Sequence, residues 1–228
     1  MLEVDGAMVV ARELKRPLLE LRQLAFGFEG NGREDEKIRA EMVGVADRAI
    51  RQVNDLSKME ELERGGFEMG PVAVRALCDD VIKEISELFA TSNKKCKMTV
   101  RYSNRSRLVR ANPELLKSVV YNFILDATRY TDEGMQAELK VKETSGFVEV
   151  SVRDFGPALS FGVWQEIQQE LDCPKEIAMR PGSSALGLYI ASKFSKYMDA
   201  EVGAVRHRDG ASFFVKLPVS RQINLWGR

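Results

Sequence analysis

The sequence predicts an α+β protein, an N-terminal antiparallel helical hairpin followed by a domain that mixes helices and strands. Three observations predict it. Apolar residues repeat at helical spacing through residues 1–66, with one glycine-rich interruption. The Gly65-Gly66 pair then ends that pattern with a strong helix stop. From Phe67 onward the hydrophobic period alternates between three-to-four and two, as in chains that mix helices with a sheet. These signals divide the chain into a hairpin at 1–66, a mixed α and β domain at 67–220 and a C-terminal tail at 221–228.

Taken in order, Leu14, Leu18, Leu21, Ala25 and Phe28 form the stripe of a first helix. Gly27, Gly30, Asn31 and Gly32 break it. Ile38, Met42, Val45, Ala49, Val53, Leu56 and Met59 form the stripe of a second. Two such helices have no core of their own, and pairing with a second copy into a four-helix bundle is the simplest way to bury both stripes. Leu14, Leu18, Leu21, Met42, Val45 and Val53 are the residues expected at that dimer interface.

Val74, Leu77, Val81, Ile85, Leu88 and Phe89 define a third helix. Met98–Tyr102 alternates as a strand, and Leu108 with Val109 makes a short one. Asn112-Pro113 opens a helix, with a side-chain acceptor at the N-cap and proline at the next position, where its missing N–H matters least. Ala137–Glu143 and Phe147–Arg153 alternate around Ser145-Gly146 as a β-hairpin. A loop-rich stretch covers Gly156–Ser184. A helix at Ala185–Met198 and strands at Ala200–Arg206 and Ala211–Leu217, joined at Asp209-Gly210, complete the pattern.

Composition narrows the function classes. The 34 Lys+Arg balance 34 Asp+Glu, so no net field draws the chain to nucleic acid or an anionic membrane. No apolar run reaches bilayer-spanning length and no signal-peptide core opens the sequence, which predicts a cytoplasmic location. Cys78, Cys96 and Cys173 are scattered and lack CxxC spacing, the usage of reduced thiols rather than of disulfides or a zinc site. There is one histidine, His207, on a C-terminal strand.

Four motifs carry a resemblance. Ala11-Arg-Glu-Leu-Lys-Arg-Pro-Leu18 resembles the phosphoacceptor motif S-H-E-L-[RK]-T-P-L of two-component sensor histidine kinases. Asn122-Phe-Ile-Leu-Asp-Ala-Thr-Arg-Tyr-Thr131 resembles their N-box, Asp154-Phe-Gly-Pro-Ala158 their D-x-G-x-G box, and Ser183-Ser-Ala-Leu-Gly-Leu188 their G-x-G-L-G-L box. Their order and spacing agree over nearly the whole chain. The resemblance implies a dimerising hairpin plus an ATP-binding domain of the type shared with DNA gyrase, Hsp90 and MutL, a two-layer α/β sandwich with a mixed sheet. It implies ATP and Mg²⁺ as ligands, with Asn122, Asp126, Arg129, Tyr130, Asp154, Gly156, Ser184, Gly187 and Leu188 at the nucleotide. Asp126 replaces the asparagine that holds Mg²⁺, and its carboxylate is still a competent hard-oxygen ligand.

The departures matter as much. Arg12 occupies the phosphoacceptor position, with Glu13 beside it as the neighbouring acid. A guanidinium stays protonated and offers no lone pair, so it cannot take up a phosphoryl group as imidazole does. Arg16 stands where the family's threonine assists dephosphorylation of the partner. Ala158, Ser183 and Ala185 replace glycines of the pocket, an erosion that implies weakened or absent nucleotide binding. The lid region carries Trp164 as an ordinary packing residue or a residual anchor. The reading that follows is a degenerate, histidine-kinase-like pseudokinase: a dimeric bacterial signalling module without autophosphorylation on its hairpin. Its implied partners are a second copy, a response-regulator receiver domain or a partner histidine kinase. The alternative is an ATP-binding enzyme of the same family with residual ATPase or phosphotransfer activity.

Overall fold

Helical period and cap chemistry translate directly into elements in the computed structural model, which describes residues 4–28, 33–91, 98–102, 107–131, 136–144, 146–170 and 185–220. Helix α1 (Val4–Phe26) and helix α2 (Arg33–Glu63) pack against each other. Pro17 lies inside α1, one turn beyond Glu13, where it deletes a helical N–H. Strand β1 (Gly70–Ala73) leads into helix α3 (Val74–Thr91), then strands β2 (Met98–Tyr102) and β3 (Leu108–Ala111). Helix α4 (Pro113–Tyr130) begins as its sequence requires: the Asn112 side chain accepts from the backbone N–H of Glu114 and Leu115 at 3.0 and 3.1 Å. Strands β4 (Ala137–Glu143) and β5 (Phe147–Arg153) follow, then helix α5 (Phe161–Glu170), helix α6 (Ala185–Tyr197), and strands β6 (Glu201–His207) and β7 (Gly210–Pro218).

The main sheet has strand order β2-β4-β5-β7-β6. It is mixed, because β2 runs parallel to β4 while the other neighbours are antiparallel. A two-stranded ribbon of β1 and β3 forms a second sheet, joined to the chain just beyond β7 by the Val109–Val219 bridge. Strict alternation buries Leu139, Val141, Val148, Val150, Val152, Phe213 and Val215 on one face of the sheet. Those side chains form one core with Val81 and Ile85 of α3, Leu116, Phe123 and Ile124 of α4, and Ile190 and Phe194 of α6. Phe123 stacks on Phe213 across the layers, with ring centroids 6.0 Å apart. Among the described residues, no comparable set of helices covers the opposite face.

Two elements depart from the sequence reading. Strand β1 is unexpected there, since four residues are too short to show a period and their pairing with β3 is long-range. Helix α5 interrupts the stretch read as loop from Gly156 to Ser184. Ser160 caps it, its Oγ accepting from the Val163 N–H at 3.2 Å. No helix among the described residues is long and apolar enough to cross a membrane.

Candidate functional site

The N-box, D-box and G-box residues converge at one corner of the sandwich. Asp154 ends β5 and is 1% exposed. Its Oδ1 accepts from the backbone N–H of Gly156 at 3.3 Å and of Ala211 at 3.2 Å, and its own N–H donates to the Ala211 carbonyl. A buried carboxylate needs such donors, and here they come from the loop after β5 and from the neighbouring strand β7. Gly210 has φ 128, and a side chain there would press on the Asp154 carboxylate. The residue in front of the candidate adenine-selecting carboxylate is therefore held to glycine.

Gly156 meets the end of α4 with no space to spare. A Cβ built on it would lie 2.8 Å from the carbonyl carbon of Tyr130 and closer still to its oxygen. The same junction is tied by the Phe155 N–H, which donates to Thr131 Oγ1 at 3.4 Å. That hydroxyl in turn donates to the Ala127 carbonyl at 2.7 Å and closes the helix. Tyr130 is buried at this point. On the other side of α4, Gly187 of α6 sits where a Cβ would just touch Asn122 Oδ1, at 3.4 Å. Asn122, Asp126 and Arg129 follow at spacings of four and three along α4, so the helix presents them as a row, with Tyr130 turned inward beside it.

Helix α2 lies against that row. Asp55, 2% exposed, accepts from Ser118 Oγ at 2.8 Å and from Asn122 Nδ2 at 3.4 Å. Lys58 Nζ donates to the same Ser118 oxygen at 3.1 Å and lies 3.7 Å from Asp55 Oδ1. One turn back on α2, the Arg51 guanidinium covers the Tyr121 ring at 3.7 Å from its centroid. Burial raises the Tyr121 pKa, and the Arg51 charge opposes that shift. Burial likewise lowers the Arg48 pKa against the pull of Glu20, with repulsion from Arg129 adding to it. The contacts between α2 and the N-box helix were not foreseen from sequence. Their signal was available: Asp55 interrupts an apolar stripe, and Ser118 and Asn122 put two polar groups four apart on a helix that is otherwise core.

The remaining predicted residues fall as follows. Leu188 is 5% exposed and belongs to the main core. Asp126 is half-buried and Arg129 exposed on α4, each with partners of its own. Arg12 and Glu13 belong to the backbone of α1, but their side chains lie outside the described residues, and Ser184 lies outside them altogether. Of the residues expected at a dimer interface, Leu18 and Val53 are 60% and 48% exposed, while Leu14, Leu21 and Met42 are half-buried. Val45 is fully buried within the single chain, so its apolar surface is already used inside the protomer. Trp164 is half-buried and its Nε1–H donates to the Ala204 carbonyl at 3.3 Å, a packing contact between α5 and β6. Burial pushes the Cys78 thiol up to about 12, aided by Asp79, which makes it an inert core residue.

At this corner a buried carboxylate rests on a backbone cradle, and two glycines lie where a side chain would meet α4. Asp126 would offer oxygen to Mg²⁺. Among the described residues there is no cluster of three or more His, Cys, Asp or Glu that could hold a metal.

His207 ends β6 opposite Gly210, with Nε2 2.8 Å from Ser212 Oγ. Burial lowers its pKa, and the nearby Arg153 charge lowers it further, against the pull of Asp209 and Asp154. Because the chain has a single histidine, one imidazole signal reports this in proton NMR. Its titration midpoint is expected below the ordinary imidazole value, and Arg153→Gln is expected to move it upward. A midpoint indifferent to Arg153 would contradict the arrangement. Since the native state favours neutral His207, this group contributes most stability above the ordinary imidazole pKa and progressively less as pH falls through the range below it.

Comparison with known proteins places these features. Residues 111–221 match the family of histidine kinase-, DNA gyrase B- and HSP90-like ATPases. Histidine kinase P4 of Formosa agariphila is 24% identical over 226 residues, covering 93% of this chain and 16% of its own length. Sensor protein EvgS of Escherichia coli O157:H7 is 20% identical over 224 residues, covering 92% of this chain and 18% of its own. The chain thus spans less than a fifth of the length of these curated relatives. Among solved structures, the Acinetobacter baumannii histidine kinase AdeS superposes with a TM-score of 0.62 at 16% identity, over 92% of this chain and 98% of that one. Full-length ShkA in complex with AMPPNP gives 0.59 at 19% identity, over 95% and 47%. The likeness to these structures is one of fold, an α+β chain with a mixed sheet.

Proposed function

We propose that this chain, with its histidine-kinase-type ATPase domain over residues 111–221, is a pseudokinase: a dimeric interaction module of a two-component pathway that takes no phosphate on its helical pair. One observation carries the reading. Arg12 stands at the phosphoacceptor position of the motif at residues 11–18, and a permanently protonated guanidinium has no electron pair with which to attack the γ-phosphorus. Arg16 supports it by replacing the threonine of the same motif. The dimer is supported by Leu18, Leu19, Val43, Ile50 and Val53, large apolar side chains on α1 and α2 that the single chain leaves between 45% and 60% exposed. The boundaries 1–66, 67–220 and 221–228 belong to the same proposal, as do a receiver domain or a second histidine kinase as partner and a cytoplasmic site of action.

The convergence of Asn122, Asp154, Gly156 and Gly187 favours one addition, that the module still binds ATP, weakly and with Mg²⁺. In that case nucleotide acts as a ligand that biases how the helical pair and the ATPase domain dock. Incubation with γ-labelled ATP tests the main reading. Wild-type protein is expected to take no label at α1, whereas label on wild-type protein would overturn it. The Arg12→His variant run beside it separates a missing acceptor, which the variant restores, from a pocket that no longer positions ATP.

A further inference from the structure

We infer that the outer face of the main sheet is a docking groove for a short acidic peptide segment of a partner protein, one that carries a single large apolar side chain. This proposal does not depend on whether the chain binds or transfers phosphate, since the groove lies on the face of the sheet opposite α3, α4 and α6.

The strand registers define the floor. Lys140 of β4 lies opposite Ser151 of β5, which lies opposite Phe214 of β7, which lies opposite Gly203 of β6. This row is stripped of bulk at its middle and far end. Gly203 lets the Phe214 ring lie across it, because a Cβ there would come within 2.6 Å of that ring. The result is a flat apolar floor. Its far wall is α5, which leans on the edge strand β6 through the Trp164 bond described above and through Arg206, whose Nε donates to the Leu159 carbonyl at 2.7 Å. Phe161 packs on Trp164 with centroids 5.7 Å apart, yet remains 58% exposed, next to Val205 at 44%. Floor and wall together enclose about 800 Å³, a volume in the range of ligand sites.

Charge selects the occupant. The lining holds Lys140, Lys142, Arg153, Arg206 and Lys216 against Glu138 and Glu149. Glu138 is engaged by Arg101 at 2.7 Å from outside the groove. Rim carboxylates neutralise part of the excess, Asp209 at Arg153 and Glu201 at Lys216. Neither Lys140 nor Lys142 forms an ion pair among the described residues, and the buried Arg153 Nε–H has no hydrogen-bond acceptor. A cationic rim over an aromatic floor matches carboxylates flanking one apolar residue. Nucleic acid fits less well, because Glu149 sits in the floor and the whole chain carries no net positive charge.

Fluorescence anisotropy tests this with a short fluorescein-labelled peptide of aspartates and glutamates around one leucine. The same peptide with lysines in place of the acids, and a short oligothymidylate, run beside it. Saturable binding of the acidic peptide alone is expected, weakened about fivefold or more by Lys140→Glu with Lys142→Glu, the equivalent of losing one or two exposed ion pairs. Phe161→Ser is expected to weaken it too, and added salt to do the same. Both sites are exposed, so circular dichroism should show these variants folded. The proposal is overturned if the lysine peptide binds as well, if charge reversal leaves binding unchanged, or if the oligonucleotide binds more tightly than the acidic peptide.

Discussion

Gly156→Ala is expected to destabilise the chain by about 3 kcal/mol or more, at the upper end of what overpacking does. The reason is the neighbour. A flexible side chain can swing away from an added methyl, but the obstacle here is the backbone carbonyl of Tyr130, fixed by the last turn of α4. To admit the methyl, the loop after Asp154 must lift off that turn. Lifting it breaks the Phe155 N–H contact with Thr131 and pulls the Gly156 N–H away from the Asp154 carboxylate, which also accepts from the Ala211 N–H. A buried carboxylate that loses a donor adds its own penalty of roughly 1–3 kcal/mol. Urea titration monitored by circular dichroism measures the sum. Gly146→Ala is the control, because nothing lies within 4 Å of a Cβ there and no positive φ is involved. If both variants melt alike, the packing at Gly156 is not what holds the D-box loop to α4.

That junction also shows what a sequence can and cannot disclose. Asn112-Pro113 announced the start of α4, and the alternation in Ala137–Glu143 and Phe147–Arg153 announced β4 and β5, because caps and periods are local and written in consecutive residues. The glycine of the D-box was legible as a close backbone approach, though not which backbone it approaches. Helix α5 was missed although Ser160 is a proper cap and Phe161 and Trp164 share a face. Gly162 in its first turn and the surrounding prolines and glycines outweighed that short signal. Strand β1 needed its partner β3, some forty residues away in sequence, before it meant anything. The three boxes of the candidate site were readable as motifs, while their convergence at one corner is a property of the strand order.

The contact between α2 and α4 is the part that no motif describes, and it leads to the second large effect. Asp55→Ala is expected to destabilise the chain by about 2 kcal/mol. Removing the carboxylate takes away the acceptor of Ser118 and Asn122 and leaves Lys58 facing them. The figure stays below that of a fully buried pair because the Lys58 side chain is 26% exposed and can turn to solvent. Asp55→Asn should lose less, since an amide oxygen still accepts from Ser118. A double-mutant cycle with Ser118→Ala isolates the link between the two helices, with a coupling of about 1 kcal/mol expected and none expected if α2 merely rests on the domain. Hydrogen exchange gives the structural readout. Amides of α2 near Asp55 should lose protection in Asp55→Ala while those of β5 and β7 keep theirs, because neither strand contributes a group to the hydrogen bonds among Asp55, Lys58, Ser118 and Asn122. Equal loss in both regions would mean that Asp55 supports the whole fold. Confined loss would mean that it is the latch by which the helical pair is held on the helix carrying Asn122 and Asp126.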